Sequence, residues 1–234
     1  NVLATTRSGQ LYESARSHFL VARETARTAG VPLVVGGLSL GAVLSLLLAA
    51  EFPDSISGVM CLAPTLFYDG WNVPWFHRLI PLIDYTPLKY FAYFREEAPY
   101  GLKDESLRKR VARAYQTVSL PANDDSGQHG YAHFPVRLFC ESRHLIARCV
   151  RSLRQVKAPL LIVQAEQDDI AGPRNSRHIF DNVGSTQKDI LLLNNSFHMV
   201  TADLERDRVA AIMAGFCQRV TGNWNSVQAG TNAD

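Results

Sequence analysis

Ser39 lies in the run Gly37-Leu38-Ser39-Leu40-Gly41, a Gly-x-Ser-x-Gly pattern. This spacing suits a serine held at the tip of a sharp strand-to-helix turn, where the hydroxyl projects clear of the backbone and can attack an acyl carbon. The backbone of such a turn is strained, and side chains two positions to either side would collide; glycine removes the collision. The helix that follows points its N-terminus at the serine, so the amide of Leu40 is placed to donate to a developing oxyanion. Composition alone would give the pattern about 0.08 times in a chain of this size.

A serine hydroxyl is a weak nucleophile until a base takes its proton. A histidine steered by a carboxylate is the usual base, and behind a turn of this type the order along the chain is Ser, Asp or Glu, His. Of the seven histidines, His77, His129, His133 and His144 fall in a stretch without strand–helix rhythm, and His178 reads as a surface or core position of a helix. His198 follows the apolar run 188–193, in the loop Asn194-Asn195-Ser196-Phe197-His198. Loops after the C-terminal ends of strands are where parallel α/β sheets place their chemistry. The preceding such loop carries Glu166, Asp168 and Asp169 ahead of Pro173. Asp168 is the preferred carboxylate and Asp169 the alternative, although a helix cap ahead of Arg174 would also account for Asp169. Asp203 and Glu205 read as first-turn acids of the last helix, favoured there by the helix dipole.

The elements that must hold these residues can be read from periodicity. Leu11, Ala15, Phe19, Ala22 and Ala26 recur at helical spacing, with Gly30 as the stop. Pro32–Val35 reads as a short strand ending in the glycine turn, and the apolar run from Ala42 to Phe52 as a buried helix that stops at Pro53. Residues 56–62 form the next strand, apolar enough for burial on both faces of a parallel sheet. From 64 to 156 the rhythm breaks. This stretch holds many aromatics between Phe67 and Phe94, helical segments near 103–118 and 138–155, and a polar loop from Pro121 to Gly130. It reads as an inserted, mainly helical cap whose aromatics form its own core. Strand 159–164, helix 174–182, strand 188–193 and helix 203–220 then resume the alternation of a parallel α/β sheet. The domain reading is therefore a core of 1–63 and 157–222, a cap of 64–156, and a polar tail of 223–234.

Composition excludes several classes. The 234 residues are 47% apolar and 20% charged, ordinary for a globular chain. A net charge of +2 argues against nucleic acid or a membrane surface as partner, and the cluster Arg108, Lys109, Arg110 and Arg113 reads as a solvated helix face. Cys61, Cys140, Cys149 and Cys217 show neither zinc spacing nor a disulfide framework; Cys61 and Cys217 lie in apolar runs that suggest burial. No run is long enough to span a bilayer, so stable membrane insertion is not expected. No metal or nucleotide site is expected either, and the compartment expected is the cytoplasm.

With these residues in place the chain resembles bacterial carboxylesterases and monoacylglycerol-lipase-like serine hydrolases of the α/β-hydrolase superfamily. The likeness is carried by Gly37-Leu-Ser-Leu-Gly41, Gln167-Asp-Asp-Ile-Ala-Gly-Pro173 and Ser196-Phe-His-Met-Val-Thr-Ala-Asp203. It implies an α/β-hydrolase fold with a helical cap and Ser39, Asp168 and His198 as catalytic residues. It also implies an acyl ester as small-molecule substrate and no cofactor; it leaves open a thioesterase, peptidase or acyltransferase with the same triad, or an inactive remnant of the fold. In such enzymes the acid stands five residues before the proline of its loop, which points to Asp168. One departure stands out. The fold places several strands before the serine turn, which would need on the order of 60 residues or more. Only 36 residues precede Gly37 here. The expectation is a hydrolase core lacking the N-terminal strands, and with them the second oxyanion amide.

Overall fold

The structure is a computed structural model that describes residues 6–117 and 133–222. The expected polar loop 121–130 with His129, and the tail 223–234, lie outside the described residues. Helix α1 (Ser8–Ala29) is followed by strand β1 (Val34–Leu38), helix α2 (Leu40–Glu51) and strand β2 (Gly58–Leu62). A short turn of helix α3 (Ile80–Ile83), strand β3 (Tyr93–Arg95), helix α4 (Glu105–Thr117), strand β4 (His133–Pro135) and helix α5 (Val136–Ser152) come next. Strand β5 (Leu160–Ala165), helix α6 (Arg174–Asn182), strand β6 (Lys188–Leu193) and helix α7 (Arg206–Thr221) complete the order.

β1, β2, β5 and β6 form a parallel sheet in that spatial order, while β3 and β4 pair antiparallel outside it. Alternation along each strand builds two cores. On β2 and β5, Val59, Cys61, Leu160 and Ile162 face one way, toward α1, α2, α5 and α6. Leu62, Leu161, Val163 and Ala165 face the other way and meet Val209 and Phe216 of α7. This is the period-two geometry of a strand buried on both faces, and it places helices on both sides of the sheet. β5 is buried along its whole length, whereas β1 is half-buried and exposed at Gly36. β1 is also an edge: among the described residues nothing pairs on its far side.

Several elements differ from the sequence reading. β1 does not stop before the glycines but runs through Gly36 and Gly37. α5, read as part of the cap, packs Leu145, Ile146 and Cys149 into the main core with Leu46 of α2. Most of the aromatics read as cap core stay on the surface, with Trp75 75%, Tyr85 92% and Phe91 77% exposed, while Phe67, Tyr68 and Phe94 are half-buried. A three-stranded or larger apolar face is needed to bury such side chains, and the β3–β4 pair, three residues each, is too small to supply one. Among the thiols, Cys61, Cys140 and Cys149 are buried and Cys217 is only half-buried. Lys109, Arg110 and Arg113 are solvated as read, while Arg108 is half-buried and donates to Lys103 O. Among the described residues no helix is long and apolar enough to cross a membrane.

Candidate active site

Ser39 occupies the sharp turn between β1 and α2, with φ 56° and ψ −117°, a conformation that costs a non-glycine residue roughly 1–3 kcal/mol. The turn is held from β2, because Ser39 N–H donates to Leu62 O at 2.8 Å. At Gly37 a Cβ would sit 2.4 Å from Gly41 C, so a side chain there is excluded by the backbone of α2. At Gly41 itself a Cβ would meet nothing within 4 Å. The steric demand of the motif thus falls on its first glycine alone, not on both as read from sequence. Leu40 begins α2, and its N–H has no acceptor among the described residues, as expected for the first amides of a helix.

The Ser39 hydroxyl lies 3.0 Å from Thr65 Oγ1, a buried partner in the loop after β2. Among the described residues it makes no hydrogen bond to His198. His198 is 4% exposed and turns Nδ1 to Asp168, 2.9 Å from Oδ1 and 3.0 Å from Oδ2. An ionised carboxylate only accepts, so Nδ1 carries the proton and Nε2 is left with its lone pair free.

Asp168 is itself fixed. Its Oδ1 accepts from the amides of Ile170 and Ala171 at 2.9 and 2.8 Å, and its Oδ2 from Gln164 Nε2 at 2.8 Å. Gln164, fully buried on β5, also donates to Ala171 O and accepts from Ser176 Oγ. Its role was not legible in the sequence, where it passed as one more residue of an apolar strand.

Asp169 does not face the imidazole ring and does not cap α6, whose N-cap is Pro173. Its two oxygens accept from His198 N and Gly101 N, so it clamps the backbone of the histidine loop to the segment before α4. Burial raises its pKa above the usual carboxylate range, the His198 amide opposes this, and the charge of Asp168 adds to it. Asp203 is likewise no helix residue. It is fully buried and accepts from Lys103 N, Asp104 N and Phe197 N, at 2.8, 2.8 and 2.7 Å. Glu205 sits at the N-cap of α7 and accepts from Asn195 N and Arg208. Asp203 is recruited by the amides of Lys103 and Asp104, about a hundred residues earlier, which no local pattern reveals.

Two further groups escaped the sequence reading. Asn175 is buried in α6, and its Oδ1 accepts from the amides of Leu66 and Phe67, fixing the loop that carries Thr65. Glu96 is a half-buried carboxyl that accepts from Tyr115 OH at 2.8 Å. Desolvation raises its pKa most; Tyr115 lowers it, Asp169 raises it and His198 lowers it, so Glu96 shares the field of the histidine loop. The remaining histidines stand apart. His77 bonds Pro74 O, His144 approaches Asp84 and Glu141, His178 packs its ring edge-on to Phe67, and His133 lies in β4. Among the described residues no group of three His, Cys, Asp or Glu is arranged to hold a metal ion.

With a strained serine turn, a carboxylate-bound histidine and a parallel sheet in place, comparison with known proteins fits the same pattern. A model of the family described as serine aminopeptidase, S33, matches residues 9–205. The chain belongs to this family. A thermostable monoacylglycerol lipase of Bacillus sp. (strain H-257) is 29% identical over 87 residues, 37% of this chain. That match spans only 35% of the lipase. Among solved structures, one reported for LipS and LipT, two metagenome-derived lipolytic enzymes, superposes with a TM-score of 0.70 at 21% identity, covering 93% of this chain and 76% of that one. A soluble variant of the monoglyceride lipase of Saccharomyces cerevisiae superposes with a TM-score of 0.75 at 15% identity, covering 93% and 71%. The fold is therefore that of the α/β hydrolases. About a quarter of each of these solved chains has no counterpart here.

Proposed function

We propose that this chain is the catalytic part of a carboxylic ester hydrolase that works through an acyl-enzyme on Ser39. The single observation that supports this best is the buried His198–Asp168 pair, which leaves Nε2 of the ring as the free base. In this reading the Ser39 hydroxyl leaves Thr65 and gives its proton to His198 Nε2 as Oγ bonds to the ester carbonyl carbon. Asp168 keeps the ring in the needed tautomer and stabilises the imidazolium. The amide of Leu40 donates to the oxyanion. His198 then protonates the departing alcohol, and water activated by the same ring releases the acid. The lipolytic relatives support an ester over other acyl substrates, and the described part of the cap, residues 64–117, would cover the acyl side.

The expected outcome is that hydrolysis of p-nitrophenyl butyrate by the pure chain is lost on Ser39→Ala. Activity that survives the substitution would remove Ser39 from the mechanism. A second reading, a weakly active or non-catalytic fold, is favoured by the bond between Ser39 and Thr65. Labelling by a fluorophosphonate probe separates the two: an inert serine stays unlabelled, and a competent one reacts even when turnover is slow.

A further inference from the structure

A groove whose lining includes none of Ser39, Asp168 and His198 opens at the loop after β2. It has a volume of about 750 Å³ and runs between the loop after β2, the segment around α3, and α5. Its floor is apolar, with Leu66, Phe67, Val73 and Ile146 among the lining side chains. Its start is fixed to the catalytic turn: Leu66 and Phe67 directly follow Thr65, the partner of Ser39, and Asn175 holds both of their amides.

The charges around this floor have one sign in excess. Arg78, Arg143 and Arg174 all line the groove. Among the described residues none of the three makes an ion pair or a hydrogen bond to a carboxylate, although seven other Arg and Lys side chains there do pair, as Arg16 does with Glu51. Arg174 instead lays its guanidinium 4.3 Å over the ring of Phe67, which fixes the charge above the apolar floor. Arg143 is half-buried and lies close enough to Asp84 to help hold that carboxyl low, but Asp84 is already bound by Lys89. The one carboxylate in the lining, Asp69, accepts from Gly172 N and Asn175 Nδ2 through Oδ1, so three guanidiniums stand against a single carboxylate there. A guanidinium keeps five donors and stays charged at any working pH. Three of them at the edge of an apolar trough suit a ligand with an apolar body and an anionic oxygen head.

From this we infer that the groove is a binding site for anionic amphiphiles, with a fatty-acid carboxylate as the ligand class. The alkyl chain lies on Leu66, Phe67 and Ile146, and the carboxylate meets Arg78, Arg143 and Arg174. The site does not depend on Ser39 being active. If the ester-hydrolase reading holds, it is a place where the acid product is retained one residue from the nucleophile's partner.

Trp75 lines the groove and reports on its occupancy by fluorescence. The experiment is a titration of the full chain with decanoate, decanol and decyltrimethylammonium, which share a chain and differ in head charge. Decanoate is expected to bind at least about threefold more tightly than decanol, the size of one partly exposed charged contact, and the cation most weakly of all. Added salt should narrow that gap. Arg143→Gln should weaken decanoate by about the same factor and leave decanol unchanged, while Trp75→Phe should remove the signal without removing binding measured by calorimetry. Equal affinity for the acid and the alcohol in the unmodified chain overturns the inference, and needs no variant to fold. So does a decanoate affinity unmoved by replacing all three arginines with glutamine in a chain whose thermal melt is preserved. Fluorophosphonate labelling of Ser39, run in parallel, reports on the proposed catalysis separately, so either reading can fail alone.

Discussion

Two adjacent carboxylates, Asp168 and Asp169, have opposite tasks. Asp168 meets the imidazole of His198 and is held by two amides and Gln164, whereas Asp169 meets only backbone amides. Replacing Asp168 by Asn removes the acceptor that fixes the tautomer, a change that costs about 10⁴-fold in kcat in a serine protease triad. Asp168→Asn is therefore expected to exceed Asp169→Asn in lost kcat by at least about a hundredfold, measured on p-nitrophenyl butyrate. Comparable losses would assign the acid's role to both. Glu96 supplies a second test. Its pKa in the folded chain is raised, chiefly by desolvation, so the folded state binds the proton more tightly than the unfolded one. Stability from this group is complete below the unfolded value of about 4.3 and falls as pH rises through the folded value. Glu96→Gln keeps an acceptor for Tyr115 and removes the titration. It should raise the melting temperature at pH 7 to 8 and give no gain near pH 4; a constant gain at both would mean packing, not charge, is responsible.

At the scale of elements, what the sequence revealed was local. α6 and β6 fall on the residues that periodicity and flanking breakers select, because each is bounded by its own signals and buries one face. Ser39 and His198 were legible for the same reason, one from a motif and the other from its place after a strand. What escaped was set by contacts distant in sequence. Asp203 was drawn into a helix by continuing the 3.6-residue pattern of α7 backwards, yet amides about a hundred residues away hold it outside. α5 was assigned to the cap because nothing local says that Leu145 and Cys149 meet α2. The glycine motif was read as two equal steric demands, and the structure separates them. Gly37→Ala forces a methyl against the α2 backbone and should destabilise the chain by about 1–3 kcal/mol or more. Gly41→Ala enters open space on a helix and should be neutral or stabilising by up to about 1 kcal/mol. Urea unfolding of the two variants decides it, and equal losses would return the demand to both glycines.

At the scale of the whole molecule the sheet is asymmetric. β5 has partners on both sides and is buried throughout, while β1, which leads into the serine turn, is an edge among the described residues. In a parallel ladder alternate residues turn both their N–H and C=O to the same neighbour. Ser57 N donates to Leu33 O, and Ser39 N donates to Leu62 O. Val35 and Gly37 therefore face β2, and Val34, Gly36 and Leu38 turn their amides to the open side. An unpaired row of this kind is a template for pairing with another strand. Amide hydrogen exchange at low concentration should show Val35 and Gly37 protected over Val34, Gly36 and Leu38 by on the order of a hundredfold, with β5 the most protected strand. If the three outward amides gain protection as concentration rises, the edge is being closed by a second copy, and light scattering should show dimers over the same range. Uniform protection along β1 at all concentrations would mean that the strand is covered within one molecule, and the open edge would have to be abandoned as a property of the chain in solution.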